Sequence, residues 1–465
     1  MKTRIESDSI GALEGPEEAY YGVQSLRANR NFKITGHPMD GAFIKNLALV
    51  KKAAAITNCE AELLSEKKTA AIVKAADEVI DGKFDSEFIT DPVQGGAGTS
   101  ANMNMNEVIA NRANEILGGA RGSYDMVHPN DDVNMAQSTN DTIPTAGKMT
   151  VITLMQDLIS EMKRLEKALY EKGLLFHDIV KMGRTQLEDA VPMTLGDTFN
   201  GYASMVARCI ERLMTSCREM HSVNLGATAI GTGINASAYY EANVVKKLSR
   251  LFGSYLSQAD NLFDATENLD SFVEVSGALK ASVTSISKMC NDLRLLASGP
   301  RCGLHEINLP AMQNGSSIMP GKVNPVIPEV VTQASFLVCG HDLTITMAAE
   351  AGQMELNAFE PVLFHELFES IIAMTGAVAT LTDNCVSGIT ANADRCRDLE
   401  ENSVGIVTAL NPYIGYVKSA HIAKTALKEN KSLREVILEE NILDEAKIDE
   451  IFDGVIADTV NAKVG

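Results

Sequence analysis

The chain has 465 residues, and 61 acidic against 41 basic side chains give it a formal net charge of −20 at pH 7. This acidic balance disfavours binding to nucleic acid or to an anionic membrane surface. Hydrophobic residues make up 45% of the chain, which indicates a globular protein with a large core and two or three domains.

The residue types in that core favour helices. The chain has no Trp and only 5% aromatic residues, so Ala, Leu, Ile, Val and Met must fill most of its interior. Such a composition suits packed helices better than an aromatic-rich β-sandwich.

Cysteine, histidine and apolar patterns exclude several other classes. The eight cysteines show no CxxC pair and the eight histidines show no HExxH motif, so we expect reduced thiols and no metal site. The first residues lack the apolar run of a signal peptide, and no charge-free apolar stretch is long enough to cross a bilayer. We therefore expect a cytoplasmic protein that does not bind membranes.

The N-terminal part divides into a turn-rich segment and a helical one. Residues 1–40 are rich in turn-forming residues, whereas residues 41–90 carry apolar side chains at helical intervals. Segment 94–104 follows, with three glycines ahead of Thr99 and Ser100 and then a helical run. A glycine-rich turn before a helix can bind an anion, although such a turn is more often only structural.

A dense row of short polar side chains comes next, Gln137-Ser138-Thr139-Asn140-Asp141. Ser, Thr, Asn and Asp are the preferred residues for capping a helix. The same hydroxyls and amides could also donate hydrogen bonds to a carboxylate, and a helix N-terminus favours anions. Both interpretations are compatible.

Long helices dominate the middle of the sequence. From about 143 to 173, apolar residues alternate spacings of four and three, which is a heptad seam formed by Val151, Met155, Leu158, Met162, Leu165 and Leu169. Similar runs recur at about 191–222, 265–297, 326–352 and 358–386. Helices of this length predict a bundle or a coiled-coil assembly, with the seam as its apolar surface.

The most informative stretch joins two of these runs: Gly315-Ser316-Ser317-Ile318-Met319-Pro320-Gly321-Lys322-Val323-Asn324-Pro325. It combines two hydroxyls, a cation and a carboxamide with glycines and prolines that favour a loop. Such a loop could present several donors to one anion. By spacing alone, a surface turn between helices fits equally well.

The composition changes after about residue 394, where short, charge-rich helical segments begin. We therefore predict three domains: an N-terminal domain over 1–139, a central helix-bundle and tetramerisation domain over 140–393, and a small C-terminal domain over 394–465.

The length of the helix predicted over about 143–173 indicates a site shared between copies of the chain. An uninterrupted helix from about 143 to 173 is roughly 45 Å long, with Asn140 at one end and Thr185 just past the other. If both residues serve one small substrate, they must come from different chains. The alternative is that these polar loops are unrelated caps on a monomeric bundle.

The stretch from Gly315 to Pro325 resembles the signature loop of the aspartase/fumarase superfamily. Further boxes that resemble the superfamily are 20–27, 94–104, 137–141, 182–192, 351–357 and 402–407, so the resemblance extends nearly end to end. It implies an all-α fold with an elongated central bundle of long helices, flanked by smaller, mainly helical N- and C-terminal domains. It also implies a homotetramer whose sites take residues from three protomers.

The resemblance assigns roles to individual residues. Ser316 would be the catalytic base, and Lys322 and Asn324 would hold a substrate carboxylate. The other donors would surround the substrate carboxylates or amino group: Thr99, Ser138, Thr139, Asn140, Thr185, Gln186 and Ser317. The boxes fit best with the branch that eliminates ammonia from L-aspartate to give fumarate through an aci-carboxylate intermediate. No cofactor is expected, and activation by Mg²⁺ is not readable from the sequence.

One position discriminates between branches. Fumarases carry His where this chain has Gln186, partnered by a glutamate that matches Glu329. Expelling water calls for a general acid, whereas an ammonium leaving group is already protonated. Gln186 cannot act as an acid, so it favours ammonia loss. Two alternatives are a class II fumarase that interconverts malate and fumarate, and a catalytically silent helical assembly protein.

Overall fold

The computed structural model describes residues 2–461, with side chains for all of these except residues 404, 453, 455–458 and 461. This part of the chain forms the following α-helices: α1 Val23–Asn31, α2 Gly41–Glu60, α3 Glu66–Ile80, α4 Thr99–Ile116, α5 Thr139–Leu175, α6 Leu195–Ser216, α7 Ala238–Phe252, α8 Asp264–Glu267, α9 Asp270–Leu296, α10 Val326–Glu350, α11 Glu360–Asn384, α12 Ala393–Glu401, α13 Asn411–Ile414, α14 Tyr416–Glu429, α15 Leu433–Glu439 and α16 Glu445–Asn461.

Strands are few and pair only in twos. The pairs are β1 Thr3–Asp8 with β2 Gly11–Pro16, β3 Val180–Thr185 with β4 Glu188–Thr194, β5 Ser222–Val223 with β6 Ser257–Gln258, and β7 Ile307–Asn308 with β8 Thr390–Ala391. The third pair is parallel and the others are antiparallel. The prediction of a mainly helical fold built on long helices is confirmed.

The chain separates into two compact units, each made of several segments. The first contains the residues up to Ile159 together with Glu211–Ala281 and Phe336–Met374, and the second contains Ser160–Ile210, Ser282–Ser335 and the residues from Thr375 onward. The predicted three-domain division stays a prediction. Within the second unit, residues of the 406–451 region form a hydrophobic cluster of their own, which includes Leu410, Ile422 and Ile437.

Helix α5 runs unbroken for 37 residues, although Pro144 lies in its second turn. Proline has no N–H, so the carbonyl of Asn140, four residues earlier, loses its usual helical donor. The Asn224 side chain replaces that donor, with its Nδ2 3.0 Å from the Asn140 oxygen. A helix of this length is about 55 Å long, longer than the sequence predicted.

The predicted use of the heptad seam was wrong. All six seam residues of α5 are at most 2% exposed within the single chain, so they already pack inside it. Helix α10 does keep an accessible apolar surface, where Phe336, Leu337, Leu343 and Met347 are 56–67% exposed. A single sequence shows that a helix face is apolar but not which neighbour covers it.

Two other segments differ from the sequence prediction. Residues 1–40 contain the β1–β2 hairpin and helix α1, where only turns were expected; Arg4 and Arg27 stabilise this region through ion pairs with Glu6 and Asp8. The run predicted as helix from about 191 begins as strand β4, and α6 starts only at Leu195.

Candidate functional site

The ten residues predicted to form the site lie on four segments. Thr99, Ser138, Thr139 and Asn140 are in the first unit, at the N-terminal ends of α4 and α5. In the second unit, Thr185 and Gln186 lie at the β3–β4 turn, and the rest lie in the loop before α10, namely Ser316, Ser317, Lys322 and Asn324.

The loop before α10, residues 315–324, is closed by its own backbone and by Asn324. The Gly315 N–H donates to the Lys322 carbonyl at 2.9 Å, and the Asn324 Nδ2 donates to the Gly315 carbonyl at 2.6 Å. A Cβ on Gly315 would lie 2.4 Å from the Lys322 oxygen, so only glycine allows this approach. We call residues 315–324 the signature loop.

Inside the signature loop, the Ser316 hydroxyl oxygen accepts two backbone hydrogen bonds. The N–H groups of Ile318 and Met319 donate to Oγ at 3.2 and 2.9 Å. Donors aimed at an oxygen stabilise its negatively charged form and so favour ionisation of the hydroxyl. The geometry therefore gives Ser316 a source of activation that needs no neighbouring His or Lys.

The other polar side chains of the signature loop face solvent. Ser317 and Lys322 are exposed, and within residues 2–461 neither side chain has a hydrogen-bond or ion-pair partner. Asn324 differs, because one N–H of its amide already closes the loop, which leaves the second N–H and the oxygen open to a ligand. Two groups of this loop are thus free to bind an anion, and a third holds the loop shut.

At the start of α4, the glycine-rich turn places Thr99 on an exposed helix N-terminus. Gly98 has φ 87°, and a Cβ there would lie 2.9 Å from Ile143 of α5, so glycine is required on both counts. The Thr99 hydroxyl donates to the Gly96 carbonyl at 2.7 Å. The partial positive charge of this helix end favours an anion.

At the start of α5, the polar row caps the helix, which is one of the two interpretations that the sequence allowed. The Ser138 Oγ accepts from the Asn140 N–H at 3.2 Å, and the Asp141 carboxylate accepts from the Ser138 N–H at 2.9 Å. The Asn140 Nδ2 donates to the Ala229 carbonyl at 2.7 Å. The loop after β5 is thereby attached to the first turn of α5.

A buried cation beside this helix end was missed from the sequence. Lys51 of α2 is 0% exposed, and its ammonium donates to Asn102 Oδ1 at 2.6 Å, Asn134 Oδ1 at 2.9 Å and Gln137 Oε1 at 3.0 Å. We call these four residues the amide cluster. Its sequence signal is weak, because one lysine inside an apolar helical pattern does not reveal which side chains surround it.

The β3–β4 hairpin presents Thr185 and Gln186 to solvent at its tip. Its two turn residues, Gln186 and Leu187, have φ of 56° and 69°, as a type I′ turn requires, although neither is glycine. Non-glycine residues held in this region cost about 1–3 kcal/mol each and often mark functional sites.

Behind the hairpin lies a second feature that the sequence did not predict. Glu306 is 0% exposed and pairs with two cations, Lys181 and Arg184, each at 2.8 Å. Removing one partner from such a buried set would leave an uncompensated charge. These pairs join the hairpin to the segment that precedes the signature loop.

Glu329, which matches the fumarase partner of histidine, has a different neighbour here. Its carboxylate lies 3.8 Å from Arg294 of α9, and both side chains are about two-fifths exposed. This pairing gives the carboxylate a positive partner rather than an imidazole.

Neither a metal-binding cluster nor a clear membrane span marks the part of the chain that the structure describes. No group of three or more His, Cys, Asp or Glu side chains in that part is arranged to hold a metal ion. One helical stretch, Glu360–Gly388, is long and apolar enough to cross a membrane, but core helices of soluble proteins share both properties.

Comparison with family models assigns most of the chain. Residues 11–340 match a model described as lyase, and residues 406–454 match a model described as fumarase C C-terminus. Among curated proteins, the chain is 52% identical to an aspartate ammonia-lyase of Helicobacter pylori, covering 97% of this chain and 96% of the relative. An aspartate ammonia-lyase of a Bacillus species is 51% identical, covering 96% of each chain.

Solved structures show the same fold. A fumarate lyase (delta crystallin) from Brucella melitensis, bound to cobalt, superposes with a TM-score of 0.95 at 47% identity, covering 98% of this chain and 100% of that one. A class II fumarase from Schistosoma mansoni superposes with a TM-score of 0.92 at 35% identity, covering 97% and 98%.

Proposed function

Because this chain belongs to the aspartase/fumarase family of lyases, we propose that it catalyses the reversible elimination of ammonia from L-aspartate to give fumarate. The proposal rests on the agreement between the curated relatives and the residue at position 186. The curated relatives at about half identity are aspartate ammonia-lyases, and the position where fumarases carry a general acid is Gln186. The substrate is a small dicarboxylate, and the products are fumarate and ammonia.

The proposed base is Ser316. Elimination removes a proton from the carbon next to one carboxylate and produces a dianionic aci-carboxylate. Each preorganised donor to such an oxyanion is worth about 10²–10³ in rate. The two N–H groups on the Ser316 oxygen support its role, because they stabilise the alkoxide that would accept the proton.

Substrate binding is assigned to the remaining donors. Lys322 would hold one carboxylate as an unpaired cation, and the second N–H of the Asn324 amide would donate to the same carboxylate. Thr99, Ser138, Thr139 and Ser317 would donate to the carboxylate that becomes the aci form. Asn140, Thr185 and Gln186 would surround the amino group, which leaves as ammonia without a general acid.

We further propose that the enzyme is a homotetramer with sites shared between copies. Helix α5 is unbroken between the segment of Asn140 and the segment of Thr185, which supports contributions from different chains to one site. The exposed apolar residues of α10 supply a surface for assembly, since large exposed apolar patches usually mark interfaces. We also propose that the enzyme is cytoplasmic and requires no cofactor.

The assignment is tested by following fumarate absorbance with L-aspartate and with L-malate in separate reactions, before and after dialysis against a chelator. We expect fumarate from aspartate, and the same rate after dialysis. Fumarate from malate alone would establish the fumarase alternative, and no turnover of either substrate would favour the silent assembly protein.

A further inference from the structure

The amide cluster touches the residues assigned to substrate binding. Gln137 directly precedes Ser138, and Asn102 donates from its Nδ2 to the Thr139 Oγ1 at 3.4 Å. Lys51 holds the side-chain oxygens of both Asn102 and Gln137, so it fixes the amides on either side of this helix end. Lysine is almost never buried this completely unless its charge has a partner.

Asp141 holds the same helix end from the opposite direction. Its side chain is 0% exposed, and one carboxylate oxygen accepts from the Ser138 N–H at 2.9 Å. The other oxygen accepts from the N–H groups of Gly226 and Thr228 at 3.1 and 3.0 Å. A single carboxylate thereby fixes the start of α5 and the loop that contacts Asn140.

The two buried charges compensate one another. Burial lowers the pKa of Lys51 to about 7, and the Asp141 carboxylate opposes that shift. Burial also raises the pKa of Asp141 to about 6, while its backbone hydrogen bonds and Lys51 act in the other direction. The three amide oxygens around Lys51 need three N–H donors, which only the ammonium form provides.

Other charged groups on the surrounding segments are already partnered. Asp132 binds Lys68 at 2.7 Å, and Asp77 binds Lys52 at 2.6 Å. Glu107 of α4 accepts backbone N–H groups of the α1 segment. Among the charged groups that the structure describes, Asp141 is therefore the negative charge that stabilises the Lys51 ammonium.

We propose that Lys51 and Asp141 are positioning residues that hold Ser138, Thr139 and Asn140 in the geometry that receives a substrate carboxylate, with Lys51 adding positive potential behind them. The inference rests on the proposed function, because it concerns the carboxylate pocket of that site. It goes beyond that function in assigning part of the binding energy to a lysine that solvent and substrate do not reach.

The chain offers a matched pair of variants. Lys51→Met removes the buried ammonium and keeps a flexible chain of similar length, whereas Lys52→Met removes the neighbouring, partly exposed lysine that pairs with Asp77. Asp141→Asn removes the opposite charge. It also replaces one carboxylate oxygen with an NH2 group, which would face backbone N–H donors instead of accepting from them. Thermal unfolding of each full-length variant identifies the temperature range in which it is folded.

Within that range, the direct readout is binding of succinate, an unreactive dicarboxylate, measured by calorimetry. We expect Lys51→Met and Asp141→Asn to bind succinate about tenfold more weakly, with the KM for aspartate rising equally and kcat changing less than about threefold. Lys52→Met should match the parent within about twofold. Unchanged succinate affinity in folded Lys51→Met would overturn the inference, because a purely structural role changes only the melting temperature.

A pH series supplies a second readout. Lys51 loses its proton as the pH rises through about 7, so succinate affinity of the parent should fall between about pH 6.5 and about 8.5, where succinate stays a dianion. The same series should be flat in Lys51→Met, and an equal decline in both proteins would contradict the assignment. Failure of the proposed function is distinguishable, because it would abolish aspartate turnover in the parent itself.

Discussion

The two groups of predicted site residues are held in opposite ways. The start of α5 is fixed by buried partners, with Lys51, Asp141 and Asn224 satisfying its amides, N–H groups and free carbonyl. The signature loop is exposed and is held mainly by internal hydrogen bonds, with Ser317 and Lys322 open to solvent. The start of α5 is therefore preorganised within the chain, whereas Ser317 and Lys322 have no side-chain partner among the described residues.

The largest effect is expected at Ser316. Ser316→Ala removes the proposed base and should lower kcat at least 10³-fold, whereas Ser317→Ala removes one donor and should cost about 10²-fold. Both changes leave the loop-closing bond of Asn324 in place, so the melting temperature should not change. Steady-state rates of fumarate formation measure the difference, and near-parental activity in Ser316→Ala would remove this serine from the mechanism.

The next effect concerns assembly through α10. Leu343→Glu places a charge on the exposed apolar surface of α10 and should dissociate the proposed tetramer. Activity should then fall about 10²-fold or more, because the proposed site is shared between copies. Leu427→Glu is the control, since Leu427 is 68% exposed on α14 and lies outside that surface. Light scattering gives the mass, and a tetramer that survives Leu343→Glu would exclude α10 as the interface.

A smaller effect is expected from opening the signature loop. Asn324→Ala removes one of the two hydrogen bonds that close the loop, together with the amide proposed to bind beside Lys322, so the KM for aspartate should rise about tenfold. Asn314→Ala is the matched control, because Asn314 is exposed and has no side-chain hydrogen bond within the described residues. Equal KM values for the two variants would show that loop closure does not affect binding.

The smallest effect should come from the β3–β4 turn. Leu187 is 72% exposed with φ 69°, so Leu187→Gly removes backbone strain and little packing. We expect a gain of about 0.5–1 kcal/mol in the free energy of unfolding, with kcat unchanged. Denaturant unfolding measures the gain, and a loss of stability would indicate that Leu187 packs against a partner.

Much of the fold could be predicted because long helices leave a strong periodic signal. The boundaries of α5, α9, α10 and α11 lie within a few residues of the predicted runs, and the polar row at 138–141 indeed caps a helix. The β1–β2 hairpin escaped prediction because its short strands alternate weakly, with Ile5 exposed on one of them.

Candidate site residues could be proposed from the sequence only where they form contiguous motifs. The glycine-rich turn, the polar row and the signature loop are each local in sequence. The groups that support them are not: Lys51 meets its partners across 51 to 86 positions, and Asn224 reaches Asn140 across 84. Such contacts follow from the packing of helices, which spacing along one chain does not encode.

Mixing two inactive variants tests the shared site most directly. We expect Ser316→Ala and Asn140→Ala each to form inactive tetramers. In the experiment, the two variants are mixed, unfolded together and refolded. If the base and the amino-group ligand come from different copies, random mixing leaves about a quarter of the sites with both groups intact, so about a quarter of the parental activity should return. No recovery in demonstrably mixed tetramers would place both groups on one chain and contradict the account.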